Sequence, residues 1–196
     1  DKSVSRGLGD VYKRQRGVKV LITGGPTYEA IDPVRFIGNH SSGRMGIELA
    51  TYAASKGAEV TLVLGPSSIP VSQSGITVVP VMSAQQMYEE VESRFHQVDI
   101  AIASAAVADY RPKTVSAQKI KKTAGDFVIE LERTTDILKW MGSVKTHQFL
   151  VGFALETNNE EENAKRKLQT KNLDLIVLNS MNDKGAGFKG KTNKVS

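Results

Sequence analysis

Three lysines surround a single isoleucine in Lys119-Ile120-Lys121-Lys122. In an extended segment the first two share one face, because successive side chains alternate. Mobile ammonium groups placed there suit a triphosphate, whose charge must be neutralised as pyrophosphate leaves; a solvated charge run is the ordinary alternative. Ten residues upstream, Asp109 ends the small-residue run Ser104-Ala105-Ala106-Val107-Ala108. Small residues let a flat ligand lie against the backbone, and an aspartate accepts from an exocyclic amine such as that of cytosine; it can equally cap a turn. Further back lie Asp32-Pro33-Val34-Arg35 and Asn39-His40-Ser41-Ser42-Gly43-Arg44-Met45-Gly46. Arg35 has the planar fork for a phosphate or carboxylate, or is a surface charge. Asn39 both donates and accepts, which suits an acyl-phosphate carbonyl or an incoming amine, or it is a left-handed turn residue. Ser41 or Ser42 can cap a helix and donate to phosphate oxygens, and Gly43 opens the backbone to a ligand. Lys167 and Lys171 are spaced i,i+4 on one helix face, where they also complement the helix dipole. Phe153 reads as core or as a base-stacking platform.

These residues need a scaffold, and one is legible from Val18 onward. Short β-branched runs (Val18–Thr23, Glu59–Leu64, Thr77–Val81, Asp99–Ser104, Phe149–Ala154, Asp174–Leu178) alternate with helical segments at Gly43–Ser55, Ala84–Phe95, Asp136–Met141 and Glu160–Thr170. Nearly continuous apolar strands imply burial on both faces. Strand–helix alternation implies a mainly parallel, doubly wound, Rossmann-like α/β sheet with helices on both faces. Two stretches break the rhythm. Gly24–Ser42 is far longer than the ~2–6 residues usual between strand and helix. Tyr110–Thr135 holds the lysines and an expected extra strand, Phe127–Leu131. Both follow C-terminal strand ends, where open α/β sheets bind ligands.

Composition narrows the classes. The chain has 196 residues, 40% hydrophobic and 24% charged, and lacks cysteine, so it has neither disulfides nor thiolate chemistry. No run approaches the ~20 apolar residues of a membrane helix, so no membrane partner is expected. The net charge of +5 is concentrated at the start: residues 1–16 carry +3 and the remainder only +2. A nucleic-acid-binding face would need a denser cluster in the folded part. Residues 1–16 lack periodicity and are expected to lie outside the fold as a disordered or extraneous segment, a leader or an interdomain remnant among the alternatives, leaving 17–196 as one domain. The three histidines show no metal-ligand spacing, so no protein-held metal is expected. An NAD(P)-dependent oxidoreductase is the rival enzyme reading. It calls for a GxGxxG turn directly after the first strand and an acidic residue closing the second; the second strand here closes in Leu64-Gly65-Pro66.

In sequence, Gly-Gly-Pro-Thr, Asp-Pro-Val-Arg, Asn-His-Ser-Ser-Gly-Arg-Met-Gly, Ala-Ala-Val-Ala-Asp-Tyr, Lys-Ile-Lys-Lys, Val-Gly-Phe-Ala-Leu-Glu-Thr-Asn and Lys-Asn-Leu-Asp-Leu-Ile resemble phosphopantothenate–cysteine ligase over about Val18 to Lys189. The resemblance implies a cytoplasmic enzyme of coenzyme A synthesis. The carboxylate of 4′-phosphopantothenate attacks CTP, giving an acyl-cytidylate and pyrophosphate; L-cysteine then displaces CMP. It implies that Lys119 serves the first step and Asn39 the second, with Arg35 close by. It places Ala105, Ala106 and Asp109 at the cytosine end. Ser41, Ser42, Gly43, Thr134, Thr135, Asp136, Ile137, Phe153, Lys167 and Lys171 become CTP contacts, although Thr134-Thr135 replaces an Asn-Pro pair. Mg²⁺ would accompany CTP through phosphate oxygens. It further implies a homodimer with active sites near the subunit interface, and natural fusion to a flavin-dependent decarboxylase domain. Asn193–Ser196 would end inside a strand that family members continue.

Overall fold

The computed structural model describes residues 14–122, 125–156 and 159–180. In chain order these form β1 (Lys19–Gly24), β2 (Tyr28–Ala30), β3 (Phe36–Gly38), α1 (Arg44–Ser55), β4 (Glu59–Leu64), β5 (Ile76–Pro80), α2 (Ala84–Phe95), β6 (Ile100–Ala103), β7 (Tyr110–Pro112), β8 (Leu131–Arg133), α3 (Ile137–Val144), β9 (Phe149–Glu156), α4 (Glu160–Thr170) and β10 (Leu175–Ser180). Residues 14–17 make a turn in which Gln15 N–H donates to the Lys56 carbonyl at 3.0 Å. The expectations for 1–13 and for 193–196 fall outside the described residues.

The aliphatic runs become six parallel strands in the order β10-β9-β6-β1-β4-β5. This is the doubly wound α/β plan. Side-chain alternation divides the core. Val20 and Ile22 of β1 join Val60, Leu62 and the α1 residues Ile47, Ala50 and Ala53 on one face. Leu21 joins Met87, Val91 and Phe95 of α2, with Leu138 and Met141 of α3, on the other. Phe95 is fully buried, and truncating such a side chain to alanine costs about 3–5 kcal/mol. α2 starts sharply because Ser83 and Gln86 form a reciprocal capping box.

The expected strand Phe127–Leu131 is displaced. Pairing with β7 runs Tyr110↔Arg133 to Pro112↔Leu131, so regular structure begins only at Leu131. The hairpin β2–β3 was not anticipated. It is fastened by the stacked rings of Tyr28 and Phe36, 3.9 Å apart. The buried Glu29 carboxylate also accepts from Ala84 N–H at 2.8 Å, at the start of α2. A carboxylate there favours the positive end of the helix dipole. The long excursion after β1 is thereby fixed to the sheet's rim.

Candidate active site

Winding reverses between β1 and β6, so their C-terminal ends frame the crevice in which such sheets bind ligands. The two chains continue side by side past the sheet through a bridge between Pro26 and Ala106. Ala106 N–H donates to the Gly25 carbonyl at 2.9 Å, and Ala108 N–H to Thr27 Oγ1 at 2.9 Å. Asn39 is drawn onto this floor: its Nδ2 donates to the Val107 carbonyl at 3.0 Å. Its amide oxygen is therefore oriented by a fixed nitrogen.

The adjoining wall is the start of α1. The sequence leaves the cap to Ser41 or Ser42, but the N-cap is Gly43, in the left-handed region at φ 79°. Ser41 Oγ accepts from Gly43 N–H at 3.3 Å, and Ser42 Oγ from Arg44 N–H at 3.4 Å. The serines thus shape the turn before the helix rather than cap it. Helix and sheet come close here: a Cβ on Gly46 would lie 2.8 Å from Gly24 Cα. Arg44 and Met45 of the first helical turn line the cleft, and a helix start there suits an anion.

The far wall comes from the segment after β8, the end of β9 and α4. Thr134 Oγ1 donates to the Ala108 carbonyl at 2.6 Å, and its N–H to the Asp109 carbonyl at 3.0 Å. Asp136 caps α3 by accepting from Lys139 N–H at 2.9 Å and pairs with Lys171 Nζ at 2.8 Å. Partial burial alone would raise the Asp136 pKa, but the Lys171 ammonium and the Lys139 N–H outweigh it and the net shift is downward. Lys167 Nζ donates to the Phe153 carbonyl at 2.7 Å.

These walls enclose a cleft of about 1070 Å³. Asn39, Ser41, Ser42, Ala105, Ala106, Asp109, Thr134, Thr135, Asp136, Ile137, Phe153, Lys167 and Lys171 all line it. Phe153 is half-buried on that wall. Gly43, Arg35 and Lys119 do not line it. Gly43 acts one layer back, through the turn it permits. Arg35 is turned toward Asp32, which takes its Nε at 2.9 Å and also its Nη2. Arg35 Nη2 donates to the Ile120 carbonyl at 2.8 Å. The Arg35 guanidinium holds the Asp32 carboxyl well below the ordinary 3.8; burial opposes this, and the N–H groups of Val34, Ile120 and Arg35 reinforce it. Arg35 and the exposed lysine tract are thus one unit, separate from the cleft within this chain.

Sequence reasoning missed Asn179, near the end of β10, which lines the cleft. Its Oδ1 is buried without a hydrogen-bond partner among the described residues, so it offers an acceptor to a ligand N–H or O–H. The signal was positional: an amide at the ligand edge of a parallel strand. Among the described residues no three acidic or histidine side chains gather as a metal cage.

A family model described as the DNA/pantothenate metabolism flavoprotein C-terminal domain matches residues 15–196. The chain belongs to this family. The coenzyme A biosynthesis bifunctional protein CoaBC of Bacillus subtilis is 51% identical over 180 residues, covering 92% of this chain and 44% of that protein. A cysteine/cysteine sulfinic acid decarboxylase from an unknown prokaryotic organism is 54% identical over 185 residues, covering 94% of this chain and 52% of that protein. The chain therefore spans about half the length of the curated relatives it matches. A crystal structure of the C-terminal domain of a CoaBC protein superposes with a TM-score of 0.77 at 46% identity, covering 94% of this chain and 87% of that one. No described helix is long and apolar enough to cross a membrane.

Proposed function

We propose that this chain joins 4′-phosphopantothenate to L-cysteine using CTP. The observation that carries the reading is the convergence of Ser41–Ser42, Asp109, Thr134–Ile137, Lys167 and Lys171 on one cleft at the winding reversal. Family membership and the coenzyme A names of its relatives support it.

In the first step a substrate carboxylate oxygen bonds to the α-phosphorus as the bond to pyrophosphate breaks. In the second, the cysteine amine bonds to the activated carbonyl, loses a proton and releases CMP. The protein's part is placement and charge stabilisation. The α1 N-terminus and its serines receive phosphate oxygens. The floor at Ala105–Ala106 and Asp109 receives the base end. Asn39, held by the Val107 carbonyl, turns its amide oxygen toward the attacking amine. Lys119 neutralises charge on departing pyrophosphate.

Lys119 stands outside the cleft in a single chain, so the reading needs either closure of the tract or a second copy; a homodimer with sites near its interface supplies the latter. Exposed Val34, Phe36, Val115, Phe127 and Val128 flank Arg35 and the tract, an apolar surface such an interface would cover. The cleft is lined by Asp109, His40, Glu48 and Asp136, the last two paired with Arg44 and Lys171, and among the described residues no three such groups gather as a metal cage. That donor set fits Mg²⁺ carried on the triphosphate; it would supply positive charge to the phosphate oxygens. Fusion to a flavin-dependent decarboxylase domain and a cytoplasmic location belong to the same reading.

Pyrophosphate release from CTP and phosphopantothenate, measured with and without cysteine, tests it. Release dependent on the acid, with CMP appearing only when cysteine is added, is the expected result. Enhancement of NADH fluorescence without CTP binding would instead select the oxidoreductase.

A further inference from the structure

The lysine tract has no regular structure of its own, and its attachment is concentrated in one place. Asp32 has a fully buried side chain. Its Oδ1 accepts from Val34 N–H at 2.8 Å and Arg35 N–H at 2.9 Å, which closes the Asp-Pro-Val-Arg turn. Its Oδ2 accepts from the Arg35 fork and, across 88 positions of sequence, from Ile120 N–H at 3.1 Å. Arg35 Nη2 in turn donates to the Ile120 carbonyl at 2.8 Å. Both polar groups of one tract residue are therefore held by a single ion pair whose carboxylate is buried and whose guanidinium is partly exposed. The only other described backbone tie between the two segments is Ser116 N–H to the Ile31 carbonyl, 3.0 Å.

Ile120 separates Lys119 from Lys121, so fixing its two polar groups fixes the plane from which both lysines project. A buried carboxylate that accepts from a guanidinium and three backbone N–H groups costs much to dislodge, since each partner would be left unpaired. Neither Asp32 nor Arg35 lines the cleft, so neither needs to touch nucleotide to influence it. We propose that Asp32 is the positioning residue of the lysine tract: with Arg35 it latches the Ile120 peptide and so sets where Lys119 presents its ammonium group. Its catalytic consequence rests on the ligase reading; the latch itself does not.

Two measurements separate those claims. Amide hydrogen exchange over residues 113–122, followed by mass spectrometry in the full chain, reads the latch directly. Asp32→Asn should speed exchange there on the order of tenfold, while β1 and β4 exchange as before. Ile120→Pro removes the single N–H that Asp32 accepts from the tract while leaving the ion pair. It should loosen the remaining amides similarly, and it decides the matter if Asp32→Asn does not fold. Unchanged exchange in a folded variant overturns the latch. For the catalytic consequence, pyrophosphate release is compared for Asp32→Asn, Lys119→Gln and the double variant. Acting through Lys119, Asp32→Asn should add no loss in the Lys119→Gln background; losses that multiply would show a separate role. If the wild-type chain releases no pyrophosphate while exchange still responds, the ligase reading fails and the latch stands.

Discussion

The cleft floor and the lysine tract are held by different means. At the floor, Ala106 is bridged to Pro26, Ala108 N–H is held by the Thr27 hydroxyl, and beside it Gly46 packs helix α1 against Gly24. The tract is a loop whose place depends on Asp32, Arg35 and the Ile120 peptide. A nucleotide-binding surface can be rigid because its ligand is the same at every turnover. On the ligase reading, a group that stabilises leaving charge must meet a position existing only in the transition state, so a mount set by its own latch, independent of the sheet, suits it.

The largest test of that contrast is Lys119→Gln. Loss of the ammonium should lower pyrophosphate release on the order of 10²–10³-fold with little change in melting temperature, because the side chain is exposed and outside the core. Unaltered release would dissolve the distinction between mount and floor. Next is Asn39→Asp, which sets a carboxylate against the Val107 carbonyl that now accepts from Nδ2. The second step should slow by roughly tenfold or more, with acyl-cytidylate building up in quenched-flow samples; normal turnover would remove Asn39 from that step. A third probe strains the floor. Gly46→Ala would bring Cβ to 2.8 Å from Gly24 Cα and should cost about 1–3 kcal/mol. Calorimetry should register roughly 2–4 °C of lowered midpoint per kcal/mol. A rise in midpoint would mean that the helix can shift freely there. The smallest effect is expected of Lys171→Gln. Its partner Asp136 is partly exposed, so solvent screening leaves about 0.2–1 kcal/mol. The Asp136 pKa lies below its ordinary 3.8, so that contribution is complete above 3.8 and lost as pH falls through the lowered value. The variant should melt slightly earlier at neutral pH and converge with wild type in acid, with weaker CTP binding by titration. Divergence toward low pH would reverse the assigned sign.

The parallel strands were legible because burial on both faces imposes uninterrupted aliphatic runs, as in Val20–Ile22 and Leu62–Leu64. The cleft-lining residues were legible because they sit at strand ends and in the turns that follow. Three-residue strands such as β2, β3 and β7 carry no period, so pairing partners decide them; this is why Leu131 rather than Phe127 opens β8. The capping position at Gly43 depends on a positive φ that neighbouring serines concealed. Asp32 was visible only as a member of the Asp-Pro-Val-Arg block, since its remote partner lies across 88 positions of sequence. Asn179 escaped notice because a lone amide at the end of an apolar run resembles any strand terminator.

The bridge between Pro26 and Ala106 has a mechanical corollary. It welds the segments leaving β1 and β6 into one slab, with Asn39 riveted to it through Val107. On the ligase reading, the give that admits a nucleotide falls to the opposite wall, where α4 presents Lys171 to Asp136 and Lys167 to the Phe153 carbonyl. On that reading the two lysines serve as hasps, because any parting of this wall from the slab would break both contacts.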